Sequence, residues 1–249
     1  MKAALSFLLC AALALLPRAA SALTVVVGQP RITPGAGIAF SAVLNSWSTS
    51  NLTSYTSSSF TPTSNALVLV GIGNSQGSAT AATPTVAGNG LTYVQVNTVT
   101  FDSGLKRETI FRAMGASPTA GAITVDFGGT SQTGCHIVVV QFTGTNTSGT
   151  NGSGAVVQSA TASGAGTSIS VTLSALTGSN DAVWMIAGNR GASGFGGTPE
   201  AGWTENTDAT GGSPNYGHTD IYRLATTDNT PSTTIGASDN YGAVALEIQ

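Results

Sequence analysis

Ser64–Asn74 reads SNALVLVGIGN, and Ser179–Asn189 reads SNDAVWMIAGN. At an offset of 115 residues the two stretches share Ser, Asn, Val, Gly and Asn at matching positions, and Thr83-Pro84 falls on Thr198-Pro199. Self-similarity at a fixed spacing constrains architecture before any local pattern does. The match continues: Gly90-Leu91-Thr92 with Gly202-Trp203-Thr204, Ile110-Phe111-Arg112 with Ile221-Tyr222-Arg223, and Val138–Phe142 with Val244–Ile248. Two pseudo-repeats, about 45–143 and 155–249, therefore flank the stretch 144–154, GTNTSGTNGSG, whose composition is that of a flexible linker.

Within each repeat, short apolar or alternating segments recur between Gly, Pro, Asn and Asp. Ala66–Ile72, Leu91–Val99, Glu108–Ala113, Ala122–Phe127 and His136–Phe142 form the first set. Ser168–Leu173, Ala182–Ala187, Trp203–Thr207, Thr219–Leu224 and Ala243–Ile248 belong to the second. Each is of strand length, and nothing after Ala22 holds a 3.6-residue apolar period with a cap. Leu67–Val70 and Ile137–Val140 lack polar alternation, the mark of strands covered on both faces. The pattern predicts an all-β fold, an antiparallel β-sandwich of jelly-roll type over 23–249. Two tandem immunoglobulin-like sandwiches are the alternative.

Residues 1–22 have the form of a signal peptide. Lys2 precedes the apolar run Ala3–Leu16, and Ala20-Ser21-Ala22 supplies a small-x-small cleavage site. The run falls short of the roughly 20 residues a bilayer span needs. Export is thus expected, to a secreted or extracellular location, with no membrane insertion of the mature chain. Cleavage after Ala22 leaves Cys135 as the only cysteine, so the mature chain has no internal disulfide. It also leaves six basic residues against 11 acidic ones, a net charge of −5. Nucleic acid is excluded as a partner by the lack of clustered Lys and Arg.

The segments Phe60–Val70 (FTPTSNALVLV), Gly90–Tyr93 (GLTY) and Ile110–Ala113 (IFRA) resemble those of a loose group of uncharacterised β-sandwich proteins of bacteria and tailed phages. The resemblance covers most of the mature chain, implies a β-sandwich and implies no activity.

Candidate chemistry is sparse. Gly73–Gly77 fits G-x-S-x-G after a strand, but SATAATPTV follows where a nucleophile elbow needs a helix. His218 and Asp220, two residues apart on a strand, face the same side and are the acid–base candidates of a jelly-roll hydrolase or lyase. Oxygen-rich loops around Asp208 and Asp220 make these two the calcium candidates, although Asp-Asn pairs are first of all turn formers. No other cofactor is expected. Trp184, Trp203 and Tyr222 align with Leu69, Leu91 and Phe111 and read as core. Arg190, Phe195 and Tyr216, in the Gly-rich loops 188–202 and 205–218, which otherwise read as solvated turns, are the ligand-binding candidates of a carbohydrate-binding module. The leading expectation is a non-enzymatic extracellular structural or surface-interaction protein, with a glycan or a surface protein as partner.

Overall fold

Apolar runs without alternation become strands buried on both faces, and here they form the middle of a layered stack of sheets. The computed structural model describes residues 37–191, 195–212 and 215–249. The first five-stranded sheet contains β1 (Ala39–Ser48), β3 (Leu67–Ser75), β6 (Val94–Phe101), β7 (Lys106–Ala113) and β9 (Gly134–Thr143), in the order β1-β9-β3-β7-β6. The second contains β10 (Val156–Ser170), β11 (Ala182–Asn189), β12 (Thr204–Gly212), β13 (Asn215–Arg223) and β14 (Ser232–Ile248), in the order β10-β14-β11-β13-β12. Each sheet thus follows one course: its first strand at an edge, its last beside it, then its second, fourth and third. A four-stranded sheet, β2 (Ser54–Thr56), β8 (Ile123–Asp126), β4 (Thr85–Gly88) and β5 (Leu91–Thr92), covers the outer face of the first. All these pairings are antiparallel. The fold is an all-β sandwich, as the patterning predicts.

Side-chain alternation along the central strands builds two of the three cores. On β3, Leu67 and Leu69 point to the second sheet, where they meet Trp184, Ile186, Val244 and Leu246. Val68, Val70 and Ile72 point the other way, toward Tyr55, Ile123 and Val125 of the four-stranded sheet. A third core, with Val183, Met185, Trp203, Phe195 and Ile235, lies on the outer face of the second sheet. Each fully buried side chain of the Leu or Ile class contributes about 1.5–3 kcal/mol. Where the five-stranded sheets face each other, β1 packs over β12 and β10 over β6. This apposition, the seam, positions the candidate site.

The stretch between the repeats is a folded turn and not a free tether. Asn146 N–H donates to the Gln249 carbonyl at 2.6 Å, and Gly154 N–H to that of Ser148 at 3.1 Å. Left-handed backbone at Gly149, Asn151 and Gly152 reverses the chain. The proposed signal peptide, 1–22, lies outside the described residues. Among the described residues no helix is long and apolar enough to cross a membrane.

Candidate functional site

Polar side chains interrupt the apolar seam at one level. In the first sheet Trp47, His136, Gly73 and Glu108 lie side by side on β1, β9, β3 and β7. In the second, Ser163, Gly242, Gly188 and His218 lie side by side on β10, β14, β11 and β13. The glycines make the room. A Cβ on Gly73 would collide with the Tyr216 hydroxyl, and one on Gly188 would sit 2.8 Å from that hydroxyl and also against Glu108. A glycine inside a strand commonly marks such a close approach.

Glu108, His136 and His218 fill this space and have no solvent exposure, and Tyr216 is 1 % exposed. The Tyr216 hydroxyl donates to Glu108 Oε1 in a short hydrogen bond. His218 Nε2 stands 3.3 Å from Glu108 Oε2, within ion-pair range but not aligned as a hydrogen bond. The rings of His136 and His218 meet edge to face with centroids 4.2 Å apart. His136 Nε2 makes a short contact with Asn45 Oδ1, while Trp47 stacks on Tyr216 at 5.4 Å. One step along β13, Asp220 accepts from Trp184 Nε1 at 2.8 Å and from the Thr207 hydroxyl at 2.7 Å, with Asn206 Nδ2 at 3.1 Å.

Burial sets the protonation behaviour. It pushes the Glu108 carboxyl above the ordinary carboxylate range, against the pull of His218 and Tyr216. Burial likewise raises Asp220, opposed by its donors, and raises the Tyr216 hydroxyl, with Glu108 adding to the shift. His136 is pushed well below the usual histidine value by burial and then by His218. Several atoms remain without an aligned partner among the described residues: Trp47 Nε1, His136 Nδ1, Glu108 Oε2 and both ring nitrogens of His218. Leaving such atoms dry costs about 1–3 kcal/mol each.

The candidates read from sequence fall as follows. His218 and Asp220 do share a face of β13, and both are sealed from solvent. Tyr216 is not in a solvated loop. It lies in β13, buried in the seam, because Thr204–Gly212 and Asn215–Arg223 pair as adjacent strands. Phe195 is fully buried in the third core. Arg190 is exposed, and its guanidinium bridges Asp239 at 3.2 Å and Asp102 at 3.6 Å. It stands beside a cleft of about 410 Å³ lined by Asn189, Gly191, Phe195 and Asp239. The Asp208 carboxylate accepts the Phe195 and Gly196 backbone N–H groups at 3.2 and 2.9 Å. Among the described residues no group of three or more His, Cys, Asp or Glu is arranged to hold a metal ion. Ser75 of the G-x-S-x-G stretch is buried, with its hydroxyl 3.2 Å from that of Thr133. Trp203 is 7 % exposed, its indole donating to Asp228 at 3.2 Å. Cys135 is buried on the opposite face of β9 from His136, and burial pushes its thiol pKa up.

Glu108 escaped the sequence reading because its partner lies 110 residues away. The available signal was a carboxylate at a seam-facing position of a strand, between Lys106 and Ile110. Compared with protein-family models, curated proteins and solved structures, the chain matches none.

Proposed function

We propose that the chain is a secreted, non-enzymatic structural or surface-interaction protein, a jelly-roll-type sandwich built from two pseudo-repeats. The observation that carries this reading is the sealing of the polar cluster. Glu108, His136, His218 and Asp220 are the side chains best suited to acid–base work, and all four lie between sheets at zero exposure. A general acid or base must come within hydrogen-bonding reach of a substrate proton, and these groups meet other side chains inside the seam. The shared course of the two five-stranded sheets supports the repeat. A carbohydrate-binding role would call for an exposed ring as a stacking platform. Phe195, Tyr216 and Trp203, the rings within and between the candidate loops, are all buried.

The test has two parts. Intact-mass analysis of the exported protein is expected to find Leu23 at the N-terminus and the chain in the medium or on the cell surface. The purified chain is then incubated with polysaccharide and ester substrates beside Glu108→Gln and His218→Asn. No turnover above buffer is expected from any of them. Turnover by the wild type that both variants lose would replace this reading with the hydrolase or lyase one.

A further inference from the structure

The two polar rows are counterparts, strand for strand. His136 and Gly242 lie on the last strand of their sheets, Gly73 and Gly188 on the second, Glu108 and His218 on the fourth. Glu108 and His218 therefore hold equivalent places, and they touch each other. One pair of packing contacts follows the same exchange, β1 over β12 matching β10 over β6, while the packing of β14 over β6 and β7 has no counterpart of like extent among the described residues. A residue in contact with its own counterpart lies on the axis of the exchange. Two first halves packed in this manner would set Glu108 against Glu108, and two second halves would set His218 against His218. Two carboxyls, or two imidazoles, sealed in one place cannot both be ionised. Only the unlike pairing sets acid against base.

Shape repeats the rule. The Phe101 ring lies where a Cβ on Gly242 would collide with it. The counterpart of Gly242 is His136, so in a pairing of two first halves Phe101 would meet an imidazole where it now meets a glycine. The unsatisfied atoms of the cluster cost stability, and buried polar groups of this kind are best known for dictating which partner and register a surface accepts.

We infer that the seam is a heterotypic interaction surface whose fitting partner is the unlike half of its own chain. Glu108 and His218 select by setting an acid against a base, and Phe101 and Gly242 select by shape. This rests on the two-repeat reading and not on the extracellular role, so the export and turnover tests neither support nor weaken it.

The experiment exchanges identities in the full chain. Glu108→His and His218→Glu each create a like-on-like seam, and each is expected to lower Tm by about 10 °C. Both changes together restore an acid–base pair with the sides reversed, and more than half of that loss is expected to return. Gly242→His is expected to destabilise by collision with Phe101, and adding Phe101→Gly to recover it. A single variant that fails to accumulate in soluble form is read through its double: a soluble double supports the inference. The inference is overturned if the doubles melt no higher than the worse single, or if the charge singles melt within about 2 °C of wild type.

Discussion

Tyr216→Phe isolates the hydroxyl that donates to Glu108 in the dry seam. The ring stays, stacked against Trp47, while Glu108 Oε1 loses its donor. Hydrogen bonds to charged groups contribute about 1.5–3 kcal/mol, and an orphaned buried acceptor costs about 1–3 kcal/mol. A loss of about 2 kcal/mol is expected, or roughly 4–8 °C in Tm for a chain of this size. Tyr216→Ala removes the ring as well, a further loss of about 3–5 kcal/mol by the cost of emptying an aromatic site. That total of about 5–7 kcal/mol approaches the whole stability of a marginal domain. Urea unfolding at pH 7.5, with midpoints compared at unchanged slope, measures both. If Tyr216→Phe unfolded within about 0.5 kcal/mol of wild type, less than a typical net hydrogen bond, the sealed cluster as described here would be wrong.

Three other outcomes are expected. Gly188→Ala places a methyl 2.8 Å from the Tyr216 hydroxyl and should cost about 1–3 kcal/mol; Gly121→Ala, which meets nothing within 4 Å, should stay within about 0.5 kcal/mol of wild type. The His136 pKa is lower folded than unfolded, so the unfolded chain binds the extra proton first and this residue drains stability as pH falls below about 6.5. Glu108 and Asp220 act oppositely: their folded values are raised, so their contribution is fullest at low pH and is lost as pH rises through those values. His136→Asn should therefore flatten the decline of the urea midpoint between pH 6.5 and about 4.5, and an unchanged slope there would exonerate His136. Trp203→Ala should cost about 3–5 kcal/mol and alter no glycan-array signal; a wild-type melt with lost glycan binding would make that ring a binding platform.

The strands were legible where burial is two-sided. Leu67–Val70 and Ile137–Val140 announce central strands because neither face can take a polar residue, and β3 and β9 are those strands. The seam was not legible, for a reason of register. Matching by residue identity sets Phe111 beside Tyr222, whereas the ladders set Leu69 opposite Arg112 and Trp184 opposite Tyr222, one residue out of step. In a strand one residue is one face. Phe111 belongs to the core under the four-stranded sheet, while Tyr222 turns to the seam and stacks on Phe40 at 3.8 Å. The same slip conceals that Glu108 and His218 are counterparts. Tyr216 was misplaced because a Gly-rich stretch reads as loop, although β12 and β13 pair through it.

The first five-stranded sheet supplies one wall to each of two cores, through Leu69 on one face and Val70 on the other. Peeling away either outer sheet would strip an apolar face of this middle layer bare, so partial opening carries nearly the penalty of complete opening. The backbone amides of β3 and β9 should then exchange with solvent only through global unfolding. With so few charges and no disulfide among the described residues, the fold gains its endurance from this shared wall: damage at the rim has no low-cost route into the centre.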